Sequence, residues 1–185
     1  MIDDFISDAI RRMDKSAEAT QHEFNSVRTG RASAALLDRI QVDYYGQQTP
    51  LKQLATLNVP EPRLLTIQPF DPSSTKAIER AIMESDLGLT PSNDGKVIRL
   101  PIPQLTEERR KELVKVVRHV AEEGRIAVRN VRRDVMHHLK ELVDSGKVGA
   151  DEEHRAEERV QKVTDEHVHT IDELLKRKEA EIMEV

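Results

Sequence analysis

The sequence predicts an α+β protein: a long three-helix bundle with a small, mostly β, α/β domain inserted between its first and second helices. Three observations predict it. All eight prolines lie between Pro50 and Pro103, and the stretches of roughly 1–29 and 105–185 contain none. In those Pro-free stretches apolar residues recur at steps of three and four, the mark of a helix with one buried stripe. In the middle, short apolar runs are bounded by Gly, Pro, Asn and Asp, the mark of strands and turns. Since proline costs about 3 kcal/mol in a helix interior, its partition separates two helical regions from a different kind of centre.

The first helix carries its stripe on Ile2, Ile6, Ala9, Met13, Ala17, Thr20, Phe24 and Val27. At 1.5 Å per residue it should run for about 27 residues and roughly 40 Å. Thr29-Gly30 stops it, because glycine readily takes the left-handed conformation that ends helices. The second helix starts at Thr106, an N-cap followed by Glu107 and Glu108 where the helix dipole favours acids. Its stripe reads Leu113, Val117, Val120, Gly124, Ala127, Val131, Val135, His138 and Leu142. Its length should be roughly 60 Å. Gly124 costs about 1 kcal/mol relative to Ala in mid-helix, and a close helix approach would explain it. Ser145-Gly146-Lys147-Val148-Gly149 breaks the pattern, and Asp151 is the expected cap of a third helix with Val160, Val163, His167, Ile171, Leu174 and Ile182 inward. A short link makes the second and third helices antiparallel. None of the three buries its stripe alone, so the first helix should complete a bundle with the other two.

The centre holds three strand-like runs, Ile40–Tyr44, Arg63–Gln68 and Lys96–Leu100. An amphipathic helix between them is capped by Ser73 or Ser74 and turns Ala77, Ile78, Ala81 and Ile82 inward. The predicted domains are therefore residues 1–29 with 105–185, and residues 31–104. The covalent links, Thr29-Gly30-Arg31 and Gln104-Leu105-Thr106, are the expected hinge.

Composition excludes several classes. Aromatics make up 3% of the chain and there is no Trp, which leaves little for a base-stacking platform. With no Cys there are no disulfides or thiolate metal sites. The acidic start, Met1-Ile2-Asp3-Asp4, lacks the basic and apolar stretches of a signal peptide, and no apolar run reaches membrane-span length. A monomeric, soluble, cytoplasmic protein without membrane contact is expected. No nucleophile elbow, phosphate loop or zinc-helix motif is present, and no catalytic residue, metal or cofactor is expected. The seven histidines do not form a ligand set: His137 and His138 diverge, as do His167 and His169, while His138 and His167 fall on apolar stripes, where a hydrogen-bonded core histidine is the ordinary reading.

Net charge is −5, but its distribution is uneven: residues 106–147 carry +3 and residues 148–185 carry −6. On the second helix Lys111, Lys115, Arg118, Arg125, Arg129, Arg132 and Lys140 fall within an arc of roughly 100°, interrupted by Glu122, with Arg133 at its edge. One reading is a phosphate-binding rail for structured RNA, whose A-form backbone is read by shape. The other is a solvated face laced with ion pairs. A general RNA chaperone and a helical protein-binding adaptor fit the periodicity as well as any more specific factor.

Several stretches resemble the ribosome recycling factor family. They are Val27-Arg28-Thr29-Gly30-Arg31-Ala32-Ser33, Tyr44-Tyr45-Gly46 with Thr49-Pro50-Leu51 and Gln53-Leu54-Ala55, Ser85–Leu89, Pro91–Gly95, Leu105–Leu113 and the arginine-rich Ala127–Asp134. The match is in order and end to end. It differs at Ala34, where many members have proline, and at Val135–His138, where a more polar run is usual. The resemblance implies an L-shaped molecule of transfer-RNA proportions that binds the 70S ribosome after termination, chiefly through large-subunit ribosomal RNA. It also implies a partner, the GTPase elongation factor G, with which such factors separate the subunits. It places Arg129, Arg132 and Arg133 on an RNA-contacting motif and Arg28 and Arg31 on the junction motif. With Arg118 and Arg125 from the basic arc, these are the expected RNA-binding residues.

Overall fold

The computed structural model describes residues Met1–Glu184. In chain order its regular elements are α1 (Ile2–Ser26), β1 (Gln41–Tyr44), β2 (Gln47–Pro50), β3 (Ala55–Glu61), β4 (Leu64–Pro69), α2 (Thr75–Glu84), β5 (Ser92–Asn93), β6 (Ile98–Pro101), α3 (Glu107–Asp144) and α4 (Ala150–Met183). The chain divides into two compact units: Met1–Thr29 with the segment from Thr106 onward, and Gly30–Leu105.

The first unit is a bundle of α1, α3 and α4. Of the stripe read on α1, Ile6, Ala9, Met13, Thr20 and Phe24 are buried. On α3 the buried row is Leu113, Val117, Ala121, Gly124, Val128, Val131, Val135, Leu139 and Leu142. It departs from the predicted stripe at three places, where Ala121, Val128 and Leu139 replace Val120, Ala127 and His138. Each is a shift of one position, because a seam contacted by two helices is wider than a single line of residues. Thr106 caps α3 as predicted, its side chain accepting from the Arg109 N–H at 3.1 Å. At the other end Gly146 is left-handed, with φ 71. The Gly146 N–H donates to Val143 O and the Lys147 N–H to Leu142 O, both at 2.9 Å. This Schellman closure turns the chain back into α4. Helix α4 begins at Ala150 with Gly149 as N-cap, so Asp151 lies in the first turn and is not the cap. Val160, Ile171 and Ile182 are buried as expected, joined by Ala156 and Thr164.

The second unit holds a β1–β2 hairpin and a four-stranded antiparallel sheet of order β3-β4-β6-β5. The hairpin turn places Tyr45 and Gly46 at φ 51 and 80, the double left-handed geometry of a type I′ turn. In the sheet Leu65 faces Leu100 and Ile67 faces Ile98. All four are fully buried, and Ile78 and Ile82 of α2 join the same core with Leu37, Val42 and Leu51. Three strands were absent from the sequence reading. β2 and β5 are polar and exposed. β3 contains Pro60, which is tolerated because β3 is an edge strand with a register shift between Asn58 and Glu61. Nor does a serine side chain cap α2. A short 3₁₀ turn, Pro72–Ser74, precedes it, and Asp71 caps that turn through the Ser73 N–H at 2.9 Å.

Candidate nucleic-acid interface on α3

The basic arc of α3 is not one uniform surface. Its edge nearest α4 carries Arg118, Arg125 and Arg132. Arg118 Nε lies 2.6 Å from Glu179 Oε1. Arg125 Nε and Nη2 each lie 2.7 Å from Asp172 Oδ1, while its Nη1 is 3.0 Å from Glu122 Oε2. A step of seven residues along α3 is thus matched by seven residues back along α4, the register of an antiparallel helix pair. The next rung should join Arg132 to Asp165. Instead Arg132 Nη1 donates to Gln161 Oε1 at 2.9 Å, and Gln161 Nε2 donates on to Asp165 Oδ1 at 2.8 Å. The third rung therefore presents a neutral amide to the guanidinium.

Burial differs along this row. Arg118 is 64% exposed and Arg125 only 18%. Partial burial of Arg125 works against its charge, but the hydrogen bonds of Asp172 and Glu122 outweigh that and hold its ionisation above the ordinary guanidinium range.

The outer edge makes no ion pair to α4 among the described residues. Arg129 reaches Glu122 Oε1 only at 3.6 Å and is 43% exposed. Arg133 is exposed. Among the described residues neither Arg133 nor Lys115 nor Lys140 engages a carboxylate, while Lys111 pairs with Glu107 at 3.1 Å. The basic arc therefore divides into an outer row that faces solvent and an inner row that is bonded to α4. The ion-paired reading of the arc holds for Arg118 and Arg125.

The junction residues lie apart from this face in sequence. Arg28 is exposed. Thr29 donates from Oγ1 to Glu181 Oε1 at 3.0 Å. Gly30 has φ 76, and a Cβ added there would meet Leu105 Cγ at 3.1 Å. Arg31 and Gln104 are exposed, and Leu105 is half-buried.

The histidines divide. His167 is largely buried, as its stripe predicted, with Nδ1 2.7 Å from Val163 O and Nε2 2.6 Å from Asp14 Oδ1. His138 is not a core residue: it is half-exposed, stacks on Phe5 at 5.7 Å and shares Glu141 with His137. Beside them Asp134 is held below the usual carboxylate range, first by the Arg12 guanidinium at 2.7 Å. The α4 side of the interface, Gln161, Asp165, Asp172 and Glu179, was missed by the sequence reading. Its signal was present as acids repeating every seven residues opposite arginines repeating every seven.

A helical bundle carrying a two-row basic face beside an acidic neighbour has the form of a binding factor. Comparison with known proteins gives that class its family. The family model described as ribosome recycling factor matches residues 20–183. The ribosome-recycling factor of Rubrobacter xylanophilus is 59% identical over 180 residues, covering 97% of each chain. That of Halalkalibacterium halodurans is 55% identical over 185 residues, covering both completely. A solution structure of the ribosome recycling factor superposes with TM-score 0.75 at 44% identity, covering 100% of this chain and 98% of that one. A second match is to models of the T. thermophilus ribosome recycling factor and E. coli elongation factor G bound to the E. coli post-termination complex. It has TM-score 0.64 and 46% identity, with both chains covered completely. The chain belongs to the ribosome recycling factor family, a family of non-enzymatic translation factors.

Proposed function

We propose that this protein binds the post-termination 70S ribosome through large-subunit ribosomal RNA and, with elongation factor G and GTP, separates the subunits for reuse. The observation that carries the RNA contact is the outer row of α3, where Arg129, Arg133, Lys115 and Lys140 meet solvent on a long, well-anchored helix. Guanidinium groups bind phosphate in forked pairs, and A-form RNA offers phosphates on a regular surface. The bundle is the stiff element, because three co-packed helices resist bending. The GTP is hydrolysed by the partner, which the T. thermophilus relative accompanies on the post-termination complex. Thr29, Gly30, Arg31, Gln104, Leu105 and Thr106 serve as the hinge, where a few backbone dihedrals absorb the motion that GTP hydrolysis drives. The factor acts as a monomer in the cytoplasm. No helix among the described residues is long and apolar enough to cross a membrane.

The test is subunit splitting by light scattering, with post-termination ribosomes, matched elongation factor G and GTP. Splitting that requires all three supports the assignment. Splitting at the same rate without elongation factor G, or none with verified partners, contradicts it.

A further inference from the structure

We propose that Gln161 of α4 is a positioning residue for RNA binding: it holds Arg132 in place through a neutral acceptor, so that Arg132 alone among the three inner-row arginines keeps its charge for phosphate. This rests on the ribosomal-RNA reading of α3.

The case comes from the register of the α3–α4 seam. Two rungs close carboxylate to guanidinium, Arg118–Glu179 and Arg125–Asp172. Asp172 spans Nε and Nη2 of Arg125, the fork of nitrogens that a phosphate would need, and Glu179 takes Nε of Arg118. An incoming phosphate must displace an anion at Arg125 and meets a charge already paired at Arg118, so these two arginines stiffen the seam more than they attract RNA. At the third rung the seven-residue step brings Asp165 into register with Arg132, yet the carboxylate is turned to Gln161 Nε2 at 2.8 Å. The amide oxygen of the same Gln161 accepts from Arg132 Nη1 at 2.9 Å. The glutamine thus separates a charge pair that the heptad spacing would otherwise close. It fixes one nitrogen of Arg132 and supplies no negative charge.

The consequence is a focus of positive potential. Arg132 adjoins Arg129 and Arg133 on the outer row, and the three form a compact phosphate-binding group. Farther toward the N-terminus of α3 the inner row is neutralised. Recognition then depends on an RNA that supplies phosphates at this one end of the rail. That gives selectivity without any contact to bases.

The experiment measures binding of the full chain to purified large ribosomal subunits across a salt series. It compares wild type, Gln161→Glu, Gln161→Met and Arg129→Ala/Arg132→Ala, with thermal melts of each. In Gln161→Glu a carboxylate faces Arg132 and completes the ladder. Removing one phosphate contact should weaken binding about eightfold near 0.1 M salt and reduce the log–log salt slope by about 0.9, with no fall in melting temperature. Gln161→Met keeps the shape but frees Asp165 to close on Arg132, so affinity and slope should fall about as in Gln161→Glu, again with no fall in melting temperature. Wild-type affinity and slope in Gln161→Glu, while the double arginine variant binds weakly, overturns the role of Gln161 alone. Equal losses in Gln161→Glu and Gln161→Met with lowered melting temperatures reduce it to packing and also overturn the proposal. Unchanged binding in the double arginine variant overturns both this inference and the RNA reading beneath it.

Discussion

Replacing Gly124 with Ala tests a close helix approach in the bundle. A Cβ at this position would lie 2.3 Å from Thr20 Oγ1, 3.2 Å from Ile171 Cδ1 and 3.4 Å from Thr20 Cβ. The Ile171 methyl is the end of a flexible chain and can yield. Thr20 cannot yield easily: it is buried, β-branched, and donates from Oγ1 to Ser16 O at 3.0 Å. Overpacking of this kind costs about 1–3 kcal/mol, and rotating Thr20 away sacrifices a hydrogen bond worth about 1 kcal/mol. Against that, Gly to Ala gains about 1 kcal/mol of helix propensity. The net expectation for Gly124→Ala is a loss of about 1–3 kcal/mol. In a Thr20→Ala background the clashing oxygen is gone, and the same substitution should stabilise by about 1 kcal/mol. The coupling energy between the two sites is then about 2–4 kcal/mol. Urea denaturation followed by far-UV circular dichroism, which reports the three long helices, measures the cycle. Additive effects, with Gly124→Ala equally destabilising in both backgrounds, would refute the assignment of the cost to Thr20.

Three further outcomes follow from the same geometry. Gly30→Val places a β-branched residue at φ 76 and crowds Leu105, so it should cost about 1–2 kcal/mol and slow subunit splitting; wild-type splitting would remove the hinge role of this residue. Thr106→Ala removes the side-chain acceptor for the Arg109 N–H and should cost about 1 kcal/mol, read by thermal melting. Asp71 is held below its usual range, chiefly by the Ser73 hydroxyl and N–H and then by the Tyr44 hydroxyl; a depressed carboxylate stabilises the fold above its unfolded pKa of about 3.9, and that contribution fades as pH falls through the lower folded value. The stability advantage of wild type over Asp71→Asn should therefore be constant near neutrality and shrink below about pH 4, whereas a difference independent of pH would rule out this linkage.

How much of this was legible in the sequence depends on how local the cause is. The three bundle helices were legible because their buried rows repeat at helical spacing and because Thr106 and Gly146 close their ends with local chemistry. The β-strands that fill the core, β4 and β6, were legible through Leu65, Ile67, Ile98 and Leu100. β2, β3 and β5 were not, since their backbone pairs with a neighbour while their side chains stay largely in water. The one-position shifts on α3 have the same origin: which of two adjacent apolar residues is buried depends on a partner helix. His138 shows this most plainly. It lies on the predicted stripe, yet Leu139 takes the core and the imidazole stacks outside on Phe5. For the site, the basic residues could be read from spacing alone. Their division into an inner row bound to α4 and an outer row facing solvent required the register of two helices far apart in sequence.

In the proposed function the Arg129–Arg132–Arg133 group of α3 engages ribosomal RNA to drive recycling. Its most direct test is the rate of subunit splitting, with elongation factor G and GTP, for Arg129→Ala/Arg132→Ala against an Arg177→Ala control, each verified as folded. Arg177 is an exposed cation on α4, outside the proposed face. The double variant should split ribosomes slowly at low concentration through weakened binding, with partial recovery at lower salt, while the control splits them normally. Full activity of the double variant, or an equal loss in the control, would contradict it.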